Sequence, residues 1–159
     1  MQRCKGFSLI ELLVVVTLIG IIATIAGLNL VNYTKNRNLK SAARDVASDF
    51  AICKERAISE SSTYRITFAT GGNSYTIHNV DNPAVPDVTK LFSEYGSDIV
   101  IQNADFAGGP QVDFLARGTV SPLTPPPGVN GVILRNSRGS TATITVNTMG
   151  RTYVTPNII

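Results

Sequence analysis

The run from Phe7 to Leu28 constrains this chain more than any other feature. Its residues are apolar or small except Ser8, Glu11, Thr17 and Thr24. Wound as a helix, about 22 residues reach roughly 33 Å, enough to span the hydrocarbon of a bilayer. Arg3 and Lys5 stand ahead of the run, so the positive-inside rule predicts a cytoplasmic amino terminus and an exported remainder. A secretory signal would have a shorter apolar core of about 7–15 residues and a small-x-small cleavage site. Glu11 is the discordant residue. A carboxylate near the centre of a membrane helix costs about 2.5–3.5 kcal/mol, so it needs a partner for its charge.

With 159 residues, the chain has room for this anchor and one modest head, but not for a second independent core. The formal charge is +3, and +1 once Arg3 and Lys5 are set aside. Such a head cannot attract nucleic acid or acidic lipid by net charge, and binding of that kind would need a local cluster. Cys4 lies in the basic leader and Cys53 farther along. If the leader is removed, no intrachain disulfide can form.

After the anchor, Leu39, Ala42, Ala43, Val46, Phe50, Cys53, Ala57 and Ile58 recur at spacings of three and four. This period predicts an amphipathic helix, continuous with the anchor and ending near Glu60, whose stripe needs a sheet to cover it. Cys53 falls on the stripe and reads as a buried structural thiol. Alternation then takes over. Tyr64, Ile66 and Phe68, a turn at Gly71–Asn73, and Tyr75 with Ile77 predict a hairpin. Further strands are expected at 98–102, 111–116, 131–136, 141–147 and 151–155, with loop elsewhere. The proline-rich stretches 81–87 and 121–128 suit loops rather than central strands. The fold class is therefore α+β, with a long amino-terminal helix packed at its outer half on an antiparallel, β-rich head.

Catalytic chemistry has little to work with. His78 is the single histidine and is expected on a surface strand, and the sequence has no nucleophile elbow, phosphate loop, dinucleotide fingerprint or metal-ligand spacing. Asp81 and Asp87 share a loop without the ligand spacing of a calcium site. No enzyme activity, cofactor or metal is expected.

The stretch Gly6-Phe7-Ser8-Leu9-Ile10-Glu11-Leu12-Leu13-Val14-Val15-Val16 resembles the class III signal of type IV pilins and of the pseudopilins of type II secretion. The resemblance implies that a prepilin peptidase cuts between Gly6 and Phe7 and methylates the new amine of Phe7. Residues 1–6 are then a leader, 7–30 a membrane and filament-core helix, 31–62 its amphipathic continuation and 63–159 the head. The implied location is the bacterial inner membrane, single-pass, with the head outside the cytoplasm, and afterwards a pilus or pseudopilus. Physically, an amine at Phe7 and a carboxylate at Glu11 are each costly in lipid, and they become tolerable when one subunit's amine meets the next subunit's Glu11. A pair within one chain, one helical turn apart, is the competing arrangement. Many pilins have a proline at the position of Leu28. This chain departs from that pattern, although Ala23 and Gly27 form a small-xxx-small pair suited to close helix packing.

In the head, "VDFLARGTVSP", "GVILRN" and "ATITVNTMGRTYV" resemble the H-type minor pseudopilins and FimT-like minor pilins, with a Phe-x-x-x-Gly element at Phe114–Gly118 and a Gly-Arg turn before the last strand. The resemblance implies an initiating or tip role, with other major and minor pilins as partners and a secreted substrate as a further possible one. DNA uptake is the alternative function. FimT-like pilins of that kind carry Gly-Arg-x-Arg, and the matching residues are Gly150, Arg151, Thr152 and Tyr153, without the second arginine. Arg117, Arg135 and Arg138 are candidates to join Arg151 and Tyr153 on DNA, and a plain solvated turn is the competing reading.

Overall fold

The computed structural model describes residues 8–107, 109–121 and 130–159, without the side chains of 25–30. The leader with Gly6, Phe7 and most of the proline-rich stretch 121–128 lie outside the described residues. The chain divides into two compact units at Thr34 and Lys35.

Helix α1 runs Leu9–Ser59, matching the single long helix expected. In the first unit the apolar side chains from Leu9 to Ile22 are exposed. The hydroxyls of Thr17 and Thr24 turn back on the helix: Thr17 donates to Leu13 O at 2.7 Å and Thr24 to Gly20 O at 2.8 Å, which hides their polarity within the helix. Among the described residues, no helix is long and apolar enough to cross a membrane. Phe7 and the side chains of 25–28, which belong to the expected run, lie outside that set.

In the second unit, Leu39, Ala42, Ala43, Val46, Phe50, Cys53 and Ala57 are fully or almost fully buried. Ile58 departs from the expected stripe and is half exposed, because the helix ends one residue later and offers no next turn to cover it. The stripe packs into one core with two antiparallel sheets. Sheet A has the order β3-β2-β1-β5-β6, with β1 Tyr64–Phe68, β2 Ser74–Asn79, β3 Val88–Leu91, β5 Gln111–Phe114 and β6 Val120–Ser121. Sheet B has the order β4-β7-β8-β9, with β4 Val100–Asp105, β7 Gly131–Arg135, β8 Thr141–Val146 and β9 Thr152–Asn157.

Alternation places the core. Tyr64, Ile66 and Phe68 face inward from β1, and Ala142, Ile144 and Val146 face inward from β8. Phe50 on α1 packs against Phe68 and Phe114, with ring centroids 6.1 and 5.4 Å apart. On the opposite face of β1, Arg65 makes a bidentate pair with Asp113 across the ladder at 2.6 and 2.7 Å. The hairpin turn bends at Gly71 with φ +78°. It also joins the sheets, since Gly71 N–H donates to Ile101 O at 2.9 Å and Ile101 N–H to Gly72 O at 2.8 Å.

Three expectations need correction. The strand expected at 98–102 is β4, displaced toward the carboxyl end. Its register shifts between Ile101 and Asn103, a bulge that lets Ile101 and Ala104 both face inward although three residues apart. Residues 88–91, read as loop, form β3, and residues 120–121 form β6. β3 has no buried residue, so nothing in its sequence alternates, and β6 is two residues long.

Candidate functional site

Lys54 sits at the carboxyl end of α1, where two glycine turns meet. In the first, Gly118 N–H returns to Leu115 O at 2.8 Å, and in the second Gly150 N–H returns to Asn147 O at 2.8 Å. The Asn147 side chain holds the second turn by accepting Met149 N–H at 3.0 Å and Arg151 N–H at 2.9 Å. Both glycines have positive φ, +79° at Gly118 and +70° at Gly150, a region costly for side-chain-bearing residues. Space is the second constraint. A Cβ at Gly150 would stand 2.8 Å from Lys54 Cδ, and one at Gly118 would stand 3.0 Å from Ile58 Cδ1 and 3.6 Å from Lys54 Cε.

The stem of Lys54 therefore lies against both turns, and its Nζ donates to Met149 O at 2.7 Å. Val120 N–H donates to Thr148 O at 3.0 Å, tying the end of sheet A to the β8–β9 turn. Arg117 and Arg151 are exposed on these two turns, and Arg117 Nε donates to Thr119 Oγ1 at 2.8 Å. Among the described residues no carboxylate pairs with Lys54, Arg117 or Arg151. This end of the head thus presents three unneutralised cations.

Arg135 and Arg138 do not join them. Arg135 pairs with Thr141 at one end of β8, whereas the Arg151 turn leaves Val146 at the other, about 17 Å away along an extended strand. Tyr153 is exposed opposite Thr145 on the outer face of sheet B. Glu11 lies exposed in the first turn of α1, while Gly6 and Phe7, the residues expected at the cleavage point, are outside the described residues. Lys54 escaped the sequence reading because it reads as one more polar residue of the helix, although glycines beside arginines at "ARG" and "MGR" mark the two turns that close on it.

Other polar groups serve the fold. Cys53 is 1% exposed, and burial, reinforced by Asp49, pushes its thiol up to about 12, which leaves it unreactive at neutral pH. Tyr75 donates to Asp49 at 2.5 Å, and Tyr95 hydrogen-bonds Asp45 one helical turn earlier. His78 is half-buried on β2. Asp81 accepts Thr63 N–H at 2.5 Å. No group of three or more metal-ligating side chains gathers among the described residues.

A helix that carries exposed apolar residues and Glu11 in its first turns, and whose later turns serve as the spine of a head with two antiparallel sheets, is the build of a pilin-like subunit. The model of the prokaryotic N-terminal methylation motif matches residues 1–27, and that of the type II transport protein GspH matches residues 42–150. The chain belongs to the GspH family, whose members are structural subunits and not enzymes. No curated protein matches it. Two solved structures share the fold. The minor pseudopilin EpsH from the type 2 secretion system of Vibrio cholerae aligns at 11% identity and TM-score 0.54, covering 75% of this chain and 97% of its own. The type IV minor pilin FimU of Pseudomonas aeruginosa aligns at 17% identity and TM-score 0.56, covering 79% and 93%.

Proposed function

We propose that this chain is a minor subunit that starts or caps a type II secretion pseudopilus or a type IV pilus. The observation that carries the reading is the methylation motif at residues 1–27 joined to a GspH head, with Glu11 as the one acidic residue in a helical stretch of exposed apolar side chains. A prepilin peptidase removes residues 1–6 and methylates Phe7. The helix from 7 to 30 holds the precursor in the inner membrane as a single pass, with the head outside the cytoplasm. On assembly the Phe7 amine of one subunit meets Glu11 of its neighbour, so mutual neutralisation fixes the axial register. Mass spectrometry of the mature protein tests processing: a methylated amino-terminal Phe7 is expected, and an intact leader overturns the reading. Normal incorporation of Glu11→Ala into filaments would remove the register role.

A second reading, DNA capture for uptake, is supported by the joining of Arg117, Arg151 and Lys54 at one end of the head. Contacts of this kind weaken steeply with salt. The full chain should then lose DNA affinity on Arg151→Ala and on raising salt, while Arg135→Ala, at the far end of the sheet, should leave it unchanged. Absence of binding at low salt would discard this reading.

A further inference from the structure

Sheet A ends in β3, and among the described residues no strand pairs with its outer edge. Phe92 N–H donates to Asn73 O at 2.8 Å, and the ladder continues in register through Lys90 and Tyr75 to Val88 and Ile77. Because hydrogen-bonded pairs alternate in an antiparallel ladder, Val88 and Lys90 commit their backbone groups to β2. Thr89 and Leu91 therefore direct theirs outward. The side chains are uncovered too, with Val88 44% and Leu91 45% exposed.

Beside this edge lies a groove of about 230 Å³ between β3 and α1. It is smaller than the roughly 300–1,000 Å³ of small-molecule sites and suits a side chain rather than a cofactor. Ile52, Ile77 and Val88 supply its apolar lining, and Ile52 is itself 44% exposed. Lys90 and Arg56 bring cations to it. Lys90 Nζ stands 3.8 Å from Asp49 Oδ2, an oxygen already bonded by Tyr75. Arg56 has no hydrogen bond or ion pair from its guanidinium among the described residues. Natural sheets usually protect an edge by shortness, charge, proline or a bulge, and β3 is itself only four residues long and carries Lys90. This one combines an open backbone row, an apolar floor and positive charge left over.

We propose that the β3 edge takes an extended segment of a neighbouring filament subunit as an added strand. The segment places an apolar side chain against Ile52 and Val88, and carboxylates two positions to either side against Lys90 and Arg56. Main-chain bonds to Thr89 and Leu91 supply affinity and the groove supplies selection, the division of labour in strand addition. The proposal rests on the assembly reading above.

The test uses the full chain in detergent micelles and a fluorescein-labelled peptide, Thr-Glu-Thr-Val-Thr-Glu-Thr, followed by fluorescence polarisation. Saturable binding is expected, at least about tenfold tighter than for the peptide with lysine at both glutamate positions. Thr89→Pro deletes an outward N–H and spares the bonds to β2, so it should cost about tenfold or more in affinity with the head's melting kept. Thr89→Val keeps the N–H and should keep binding. Arg56→Glu should weaken the glutamate peptide and strengthen the lysine peptide. Equal binding of the two peptides, indifference to Thr89→Pro, or no binding at millimolar peptide would overturn the proposal. Self-association abolished by Thr89→Pro would also overturn it, by giving the edge to a second copy. Incorporation of the wild-type chain into filaments is scored separately. If it proceeds while the peptide fails to bind, only the edge contact is lost; if it does not occur, the assembly reading falls and the proposed occupant with it.

Discussion

Helix α1 contains the same kind of apolar residue in two opposite situations. From Leu9 to Ile22 such side chains occupy nearly every position and stay exposed, with Leu13 at 53% and Val15 at 47%. From Leu39 to Ala57 one stripe, Leu39, Ala42, Ala43, Val46, Phe50, Cys53 and Ala57, is buried at 1% or less, while Ile52 off the stripe stays 44% exposed. The difference is one of period. An all-round apolar surface selects no partner face and suits a surrounding medium or a ring of like helices, whereas a stripe at helical spacing, flanked by Lys40, Arg44 and Glu55, admits cover from one side only. One helix thus carries an instruction to be surrounded and an instruction to be docked.

Mutation of the stripe should break this contrast most visibly. Phe50→Ala is expected to cost the head about 3–5 kcal/mol in urea unfolding, because it empties the space between Phe68 and Phe114. Leu13→Ala should leave the same transition within about 0.5 kcal/mol, and an equal loss at Leu13 would erase the distinction. Tyr75→Phe sharpens it at the margin of the stripe. It removes a hydrogen bond to a carboxylate that is only 8% exposed, for about 1.5–3 kcal/mol. Gly131→Ala should cost a similar amount, about 1–3 kcal/mol, since its Cβ would lie 2.1 Å from Ile144 O and force β7 from β8.

Alkaline titration should separate the two regions more gently. The Cys53 thiol is raised from 9.0 to about 12 by burial, and Tyr95 from 10.0 to about 12 by its bond to Asp45. Burial and Asp49 raise Tyr75 as well. Each native group keeps a proton that the unfolded chain gives up, so their contribution to stability is complete below about pH 9 and declines as the pH climbs toward 12. Denaturation of the head followed by circular dichroism should move to lower urea across that window, and Cys53→Ala should delay the onset. Residues 8–24 hold neither thiol nor phenol, and their helical signal should not follow the same curve.

Much of this contrast was legible in the sequence because it rests on periodicity. The stripe, the β1–β2 hairpin and the alternation of β7, β8 and β9 repeat strongly enough to be read without coordinates. Legibility failed where burial is absent or a ladder is irregular. β3 buries nothing, β6 is too short to repeat, and the bulge after Ile101 hides the second half of β4. At the candidate site the Gly-Arg turn at Gly150 was legible and Gly118 was marked by the Phe-x-x-x-Gly element, but the residue on which the two turns close was not. Lys54 is polar and helical like its neighbours, and only the fold brings residues 115–118 and 147–151 to it. The grouping of the arginines failed for the same reason, since the length of β8 separates Arg135 and Arg138 from Arg151 and no local pattern encodes that distance.

The hydrogen bond from Lys54 to Met149 also has a meaning in time. Its partners are 95 residues apart, and the Asn36 amide and Ile159 O are 123 apart, so the head is a fold of high contact order. During vectorial synthesis the spine of the head emerges early and waits, its stripe uncovered, until the final hairpin arrives to close over it. A chain of this design leaves an unfinished apolar surface uncovered until its last strands are made.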